Sequence, residues 1–173
     1  MMTAYEYLTQ KRGIHPSVAE YAAWQESYNE YCIPYFDARG TQRTVRYHNP
    51  SGTPKYRSKE GSTRHLYCVE NVRFSSVFLC EGEIDTLSAL SVGVKAVGVP
   101  GANSFFRPWI HLMEHTDDLV IAFDGDAAGR ESAIKIKSLL PHAKILEVPS
   151  DTDLNDILRH EGAETLKEFL SDC

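Results

Sequence analysis

An apolar run that ends in two aspartates constrains this chain more than any other stretch of its sequence. Residues 119–126 read LVIAFDGD, and the pattern of a helix begins directly behind Asp126. A short apolar run bounded in this way predicts a buried strand of a parallel sheet, followed by a turn and a helix. Gly125 separates Asp124 from Asp126 and, like Gly82 behind an earlier strand, lets backbone and ligand approach closely. The turn therefore places two carboxylates at the carboxyl end of a strand.

Four strand–helix units in succession predict an α/β fold after residue 74. The expected strands are 76–80, 95–99, 118–123 and 144–148; the expected helices are 84–92, 105–115, 127–140 and 154–161, with a last helix at 164–170. This alternation is typical of a doubly wound, four-stranded parallel sheet flanked by helices. In such sheets the functional crevice lies at the carboxyl ends of the strands.

Residues 1–73 have a different pattern and predict a small mixed α+β subdomain ahead of an α/β domain at 74–173. Helices are expected at 4–13 and from 16 to about 25, a hairpin at 31–37 and 41–48, and shorter extended pieces at 55–58 and 64–69. The boundary between the two parts is expected near Arg73.

The net charge of −6 conceals an asymmetry between the two parts of the chain. Residues 1–74 carry ten Lys and Arg against seven Asp and Glu, whereas residues 75–173 carry eight against seventeen. Seven of the basic residues lie within 39–64, where Glu60 is the one acid. A basic segment beside an acidic domain suggests contact with a polyanion next to a metal site. A solvated loop whose charges have no role is the alternative.

Acidic residues follow three of the four predicted strands at the same end of the sheet. They are Glu81, Glu83 and Asp85 after the first strand, Asp124 and Asp126 after the third, and Asp151, Asp153 and Asp156 after the fourth. Carboxylates gathered in one crevice repel one another and raise their own pKa values unless a cation is present. Hard oxygen ligands suit Mg²⁺ or Mn²⁺, so the pattern predicts a divalent-metal site.

Helix capping is the other use of an acid at the start of a helix, because a carboxylate there accepts backbone N–H groups and complements the dipole. Capping is the favoured interpretation for Glu131 and Asp156, and metal binding is favoured for Asp124 and Asp126. Glu83 is expected to face solvent.

Several protein classes are disfavoured by the sequence. No apolar run approaches the roughly 18 residues of a membrane span, and the N-terminus lacks a signal-peptide apolar region, so a cytoplasmic protein with no membrane partner is expected. The four cysteines form no CxxC pair, and no zinc is expected. His111 and His115 lie one helical turn apart, but without a Glu directly after His111 they do not match the metalloprotease pattern.

Three ordered acidic motifs resemble the TOPRIM domain of DnaG-type primases and phage helicase-primases. The motifs are Glu81-Gly82-x-x-Asp85, Asp124-Gly125-Asp126-x-Ala128-Gly129-Arg130, and Pro149 followed by Asp153, with Ile157–Gly162 behind them. Shorter stretches resemble the basic subdomain that precedes TOPRIM in primase cores, namely Ile33–Arg46, Lys55-Tyr56-Arg57-Ser58 and Arg64–Tyr67. The resemblance implies a Rossmann-like TOPRIM fold for residues 74–173.

The resemblance also implies an enzyme, a primase-type nucleotidyltransferase that makes short RNA primers on single-stranded DNA. The acids it marks as catalytic are Glu81, Asp85, Asp124 and Asp126, and the ligands it marks for Mg²⁺ or Mn²⁺ are Glu81, Asp124, Asp126 and Asp153. Glu81 would be a general base or second-metal ligand, and Asp85 would support the cluster. The side chains that would hold NTPs or template are Arg46, Lys55, Arg57, Lys59 and Arg64. Primer synthesis requires both sets, since metal activates a 3′-hydroxyl and cations hold phosphates.

The chain departs from that family in what its sequence lacks. It carries no cysteine pattern for a zinc module and no P-loop for a fused helicase, and it stops soon after the third motif. A separate zinc-binding module, a replicative helicase, or both are therefore expected as partners, and a phage or mobile element is the expected source. Two alternatives remain: a metal-dependent TOPRIM nuclease, and a non-catalytic adaptor that binds nucleic acid.

Overall fold

Two four-stranded sheets organise the computed structural model, which describes residues 2–101, 104–105 and 107–172. The N-terminal sheet is antiparallel, with the strands β1 (Gln25–Ser27), β2 (Glu30–Phe36), β3 (Gln42–His48) and β4 (Tyr56–Ser58) in that order. The C-terminal sheet is parallel, with the order β6-β5-β7-β8, from β5 (Ser76–Cys80), β6 (Ala96–Gly98), β7 (Asp118–Ala122) and β8 (Lys144–Ile145). The expected fold class, α/β behind a mixed subdomain, is confirmed.

Short helices flank both sheets. They are α1 (Ala4–Glu6), continued by a π turn at Tyr7–Lys11, then α2 (Pro16–Ala22), α3 (Glu83–Ser91), α4 (Ile110–Met113), α5 (Ala127–Leu139), α6 (Leu154–His160) and α7 (Ala163–Ser171), with 3₁₀ turns at Val69–Arg73 and Arg107–Trp109. Every helix within the described ranges is too short or too polar to cross a bilayer.

The strand order explains how the acids can meet. β5 and β7 are neighbours in register from Ser76–Asp118 to Cys80–Ala122, and β8 lies beside β7. Both central strands are apolar and buried, as expected for a sheet covered on two faces. The three strands that acids follow are therefore adjacent, and their carboxyl ends lie at one edge of the sheet.

The N-terminal helices pack against the parallel-sheet domain. Leu8 and Ile14 belong to the same buried cluster as Leu87, Leu154 and Leu158, which lie on α3 and α6. A second cluster fills the other face of the parallel sheet. Because one core joins both halves, the domain boundary near residue 73 stays a prediction.

Several local expectations differ from the structure, among them the strand expected at 144–148, which is reduced to β8 (Lys144–Ile145). Backbone geometry explains two of the others. The helix expected to continue to about residue 25 ends at Ala22, because Ala23 adopts a left-handed conformation. The strand expected at 64–69 is reduced to one bridge between Tyr67 and Gly98, since Cys68 is also left-handed and starts a 3₁₀ turn. The helix expected at 105–115 is a 3₁₀ turn followed by α4; Phe106, and Ala102 and Asn103 of the preceding loop, lie outside the described residues.

Candidate active site

A cavity of about 340 Å³ lies at the carboxyl ends of β5 and β7 and is lined from both halves of the chain. The acids that line it are Glu81, Glu83, Asp85, Asp124 and Asp153. Basic and aromatic residues also line it, namely Arg12, Arg46, Lys55, His48 and Tyr56. We call this space the acid cavity. It brings together predicted site residues from both the acidic and the basic segments.

Backbone hydrogen bonds at the start of α6 hold two of these acids. Asp85, in the first turn of α3, is 8% exposed and accepts a hydrogen bond of 3.1 Å from the backbone N–H of Asn155. Asp153 caps α6 by accepting 2.6 Å from the N–H of Asp156. Both carboxylates are thereby fixed to the same helix start.

Gly125 joins the turn behind β7 to the loop that carries Asp153. Its N–H donates to the carbonyl of Thr152 at 2.9 Å, and its own carbonyl accepts from Asp151 at 3.2 Å. A Cβ at this position would overlap the backbone carbonyl of Pro149, so the close approach requires glycine. The contact fixes Asp124 relative to Asp153.

The carboxylates of the acid cavity raise one another's pKa values. Burial, followed by the charges of Glu81 and Asp153, raises the pKa of Asp124 to about 7. Burial, followed by the charges of Asp153 and Asp124, raises the pKa of Asp85 well above its usual range. Burial also raises the pKa of Asp153. These acids therefore share one electrostatic environment, which a cation would relieve.

The carboxylate oxygens of these acids are the kind of ligand that a hard divalent cation prefers. In the described ranges, however, no three His, Cys, Asp or Glu side chains are arranged as a ready-made metal cage. Mg²⁺ commonly binds one or two carboxylates, keeps several waters and takes further oxygens from substrate phosphates. The arrangement therefore fits a metal that arrives with, or is completed by, a phosphate-bearing ligand.

Asp126 has a different position from Asp124. It is exposed and lies outside the lining of the acid cavity, and its carboxylate accepts 2.7 Å from the N–H of Gly129 as the cap of α5. From the sequence, metal binding was favoured over helix capping for Asp126. In the structure, the contact that Asp126 makes is that of a helix cap. Its charge still acts on Asp124, whose pKa it helps to raise. A metal role for Asp126 stays a prediction.

The expectation that Glu83 faces solvent is wrong. Its side chain is 2% exposed and accepts hydrogen bonds from Arg46 Nη1 at 2.6 Å and from Tyr35 Oη at 2.5 Å. The donors lie on β2 and β3 of the antiparallel sheet, and Glu83 lies in the first turn of α3. Because Arg46 and Glu83 are 37 residues apart, no local pattern indicates their contact. Arg46 lines the acid cavity and is anchored there by Glu83.

The other predicted phosphate-binding residues are dispersed. Lys55 lines the acid cavity. Arg57 lies outside that lining, pairs with Glu30 at 2.6 Å and stacks over the ring of Tyr47. Lys59 lines a separate surface pocket beside Arg43, and Arg64 is exposed. Of the five predicted basic residues, Arg46 and Lys55 are therefore the two that the structure brings to the acids.

Arg12 lines the acid cavity although the sequence did not single it out. Its Nε donates to Tyr7 Oη at 2.8 Å, and its Nη1 lies 3.5 Å from Asn155 Oδ1. Asn155 in turn donates to the backbone carbonyl of Arg12 at 2.7 Å. Since Arg12 and Asn155 are 143 residues apart, no spacing in the sequence could have revealed the contact.

Comparison with known proteins places this architecture in a family. The model of the family described as "Toprim-like" matches residues 78–158. The Gene 57 protein of Mycobacterium phage D29 is 34% identical over 119 residues, which cover 68% of this chain and 78% of that protein. The DNA primase of Borreliella burgdorferi is 30% identical over 101 residues, covering 56% of this chain and 19% of the primase. The chain belongs to the Toprim-like family, and it spans about a fifth of the length of that bacterial primase.

Solved primase structures share the fold over nearly the whole chain. The zinc-binding and RNA polymerase domains of the Aquifex aeolicus primase match with a TM-score of 0.77 at 20% identity, covering 98% of this chain and 55% of that one. The primase fragment of the bacteriophage T7 primase-helicase protein matches with a TM-score of 0.79 at 17% identity, covering 93% and 72%. A DnaG primase catalytic domain bound to single-stranded DNA matches with a TM-score of 0.69 at 20% identity, covering 96% and 64%. The expected resemblance to primase catalytic cores is confirmed.

Proposed function

We propose that this chain is the catalytic core of a DNA primase, which makes short RNA primers on single-stranded DNA with Mg²⁺ or Mn²⁺. One observation carries the proposal: the acids of the parallel sheet line a single cavity with Arg12, Arg46 and Lys55 from the N-terminal half. The likeness to primase cores in sequence and fold supports it.

Primer synthesis joins a 3′-hydroxyl to the α-phosphate of an NTP and releases pyrophosphate. A bound Mg²⁺ or Mn²⁺ supplies Lewis-acid stabilisation of the phosphoryl charge. Glu81, Asp124 and Asp153 are the proposed ligands, and the Glu81 carboxylate is also the proposed acceptor of the hydroxyl proton. Arg12 and Lys55, across the same cavity, would bind phosphate oxygens through charge-assisted hydrogen bonds.

The proposed partners are a separate zinc-binding module and a replicative helicase. The Aquifex primase structure contains a zinc-binding domain, and the T7 fragment comes from a primase-helicase protein. We propose that such partners select the start site on the single-stranded DNA template and bring this chain to the replication fork.

A primer-synthesis assay tests the proposal. Labelled NTPs, single-stranded DNA and Mn²⁺ or Mg²⁺ are incubated with the chain, with and without an added zinc-binding primase module. We expect short RNA products, and a loss of 100-fold or more for Asp124→Asn, which removes a proposed ligand. Asp117→Asn is the matched control, because Asp117 is exposed and precedes β7 at the opposite edge of the sheet.

Three results would contradict the proposal. No RNA product with either metal, even with the zinc module, would reject primer synthesis. Shortened DNA in reactions without NTPs would indicate a nuclease instead. Full activity in a replication assay with Asp124→Asn would indicate a non-catalytic adaptor.

A further inference from the structure

Asn155 is a buried amide that joins the N-terminal segment to the acidic domain. It lies in the first turn of α6, is 1% exposed and is not among the residues that line the acid cavity. Its Nδ2 donates to the backbone carbonyl of Arg12 at 2.7 Å and to Ser88 Oγ at 3.0 Å. An asparagine amide carries two N–H donors, and both are used within the protein. Any effect of this side chain on a ligand must therefore pass through its neighbours.

Asn155 contacts Arg12 at two points. Gly13, with φ of 68°, follows Arg12 at the end of the first helical segment, where backbone carbonyls have no partner within the helix. Asn155 supplies the partner for the Arg12 carbonyl, and its Oδ1 accepts from Arg12 Nη1 at 3.5 Å. Tyr7 Oη accepts from Arg12 Nε at 2.8 Å. The backbone and the guanidinium of Arg12 are therefore both fixed, which reduces the entropy that a ligand must overcome to order this side chain.

The backbone of Asn155 contacts the acids. Its N–H donates to Asp85 Oδ1 at 3.1 Å, and Asp153 is the N-cap of the same helix. Burial raises the pKa of Asp153, and the charge of Arg12 opposes that rise, so the guanidinium lies within electrostatic range of this carboxylate. One residue therefore sets the position of a cation relative to two carboxylates.

We propose that Asn155 is a positioning residue, which holds the Arg12 guanidinium toward the acid cavity so that it binds the phosphates of the incoming nucleotide beside the acids. The proposal deepens the proposed function, on which it rests for the identity of the phosphate-bearing ligand. Asn155 itself would touch neither nucleotide nor metal. The placement of Arg12 needs no ligand, so it is measured separately from binding and from primer synthesis.

Ser88 provides the matched control. It lies on α3, is fully buried, accepts from Asn155 Nδ2 and donates to the carbonyl of Ile84 at 2.9 Å. Ser88→Ala removes a buried hydrogen bond of Asn155 but leaves both contacts between Asn155 and Arg12 in place. A merely structural role for Asn155 would give Ser88→Ala and Asn155→Ala the same consequences, whereas a positioning role separates them.

Nuclear magnetic resonance of the full chain, without metal or nucleotide, tests the placement of Arg12. The Nε–H signal of Arg12 is assigned by its loss in Arg12→Lys, and its exchange with solvent is then compared between variants. We expect exchange in Asn155→Ala to be faster than in the wild type by about tenfold or more, because the side chain loses a fixed point. Exchange in Ser88→Ala should equal that of the wild type.

Calorimetric titration with α,β-methylene-ATP and Mg²⁺ tests binding without chemistry. Arg12→Ala is expected to weaken binding about tenfold or more, the loss of a charge-assisted hydrogen bond. Asn155→Ala should weaken it by about five- to tenfold, and Ser88→Ala by less than about twofold. The double substitution Arg12→Ala/Asn155→Ala should bind as Arg12→Ala does, because Asn155 acts through Arg12 alone.

The primer assay should then separate KM from kcat. Asn155→Ala is expected to raise the KM for NTPs about tenfold and to change kcat by less than about twofold, since a phosphate contact made before the reaction is kept during it. Should Asn155→Ala fail to fold, Asn155→Ser is the second variant. Serine has one donor where asparagine has two, so the same directions with smaller changes are expected.

Three outcomes overturn the inference: unchanged exchange of the Arg12 signal in the Asn155 variants, equal effects of Ser88→Ala and Asn155→Ala, or losses of affinity that add in the double variant. A wild type that binds no nucleotide would reject the proposed function instead. Faster exchange of the Arg12 signal in Asn155→Ala, but not in Ser88→Ala, would still support the positioning of Arg12 by Asn155.

Discussion

Arg46 donates a hydrogen bond of 2.6 Å to Glu83, and this contact joins the antiparallel sheet to the helix behind the first acidic strand. The side chains are 14% and 2% exposed, and the hydroxyl of Tyr35 completes the contact from β2. Because the pair lies between the two halves of the chain, it fixes the basic wall of the acid cavity relative to the acids.

Breaking this pair is expected to destabilise the fold strongly. Arg46→Met leaves the Glu83 carboxylate buried without its cation, which costs about 3–5 kcal/mol in the free energy of unfolding measured with urea. The double substitution Arg46→Met/Glu83→Gln should recover part of the loss, because no buried charge is left uncompensated.

The exposed pair Arg57–Glu30 provides the matched control for that experiment. Its nitrogen–oxygen distance is also 2.6 Å, but Arg57 is 49% exposed. Arg57→Met should therefore cost about 1 kcal/mol or less. Equal losses for Arg46→Met and Arg57→Met would contradict a special role for the buried pair.

Asp124→Asn is expected to stabilise the metal-free protein while abolishing its response to metal. The pKa of Asp124, about 7 in the fold, lies above its ordinary value of 3.8, so its contribution to stability is full below about 3.8 and is lost as pH rises through 7. Asparagine resembles the protonated form. At pH 8 the variant should be more stable by about 1–2 kcal/mol, a figure reduced for the partial exposure of the carboxylate.

Urea unfolding of wild type and Asp124→Asn between pH 8 and 4 checks this sign. The advantage of the variant should shrink as pH falls through 7, because the wild-type carboxyl group becomes neutral. Millimolar Mg²⁺ should raise the melting temperature of the wild type but not of Asp124→Asn. Asp117→Asn should respond to Mg²⁺ as the wild type does. A metal response that survives in Asp124→Asn would contradict its role as a ligand.

Gly125→Ala is expected to disrupt the acid cavity without changing any charge. The new Cβ would overlap the backbone of Pro149, so the loop that carries Asp153 must move. We expect a loss of more than about 2 kcal/mol in unfolding free energy, since backbone cannot give way as a side chain can. Gly82→Ala is the control: the nearest atom to its Cβ would be Asp85 Oδ2 at 3.6 Å, an ordinary contact. Equal stability of the two variants would contradict the close approach.

The sequence predicted those parts of the molecule that depend on local pattern. Apolar runs predicted β5 and β7 because strands covered on both faces must be apolar throughout, and acids directly behind such strands must emerge at one edge of the sheet. Convergence also required β5, β7 and β8 to be neighbours, and the structure provides that order. The sequence alone therefore predicted that these acids meet at one site. Which of them bind a metal there stays a prediction.

The remaining contacts depend on residues that meet from distant parts of the chain. Glu83 is buried because β3 brings Arg46 to it, and Arg12 reaches the acid cavity because the first helical segment packs on α6. Propensity and spacing describe neighbours along the chain, so they indicate none of these contacts.

His48 lies at the centre of an aromatic cluster that forms part of the lining of the acid cavity. It is fully buried, its Nε2 is 2.8 Å from Tyr7 Oη, and its ring stacks on Tyr56 at 4.4 Å. Burial, followed by the charge of Arg12, lowers the pKa of His48 from 6.5 to about 4. The fold therefore holds this imidazole neutral at pH values where an unfolded chain would protonate it.

His48→Gln is expected to remove a pH-dependent part of the stability, because glutamine keeps a hydrogen-bonding group for Tyr7 but does not titrate. The neutral imidazole contributes fully above pH 6.5, and its contribution falls by about 3 kcal/mol as pH drops from 6.5 to 4. The difference in urea unfolding free energy between wild type and His48→Gln should therefore decrease across that interval.

Taking the difference between the two proteins cancels the opposite pH trend of Asp124, which both proteins share. His160→Gln, at an exposed position, is the matched control. A difference that is constant from pH 7 to 4, or that follows the control, would contradict a buried neutral His48.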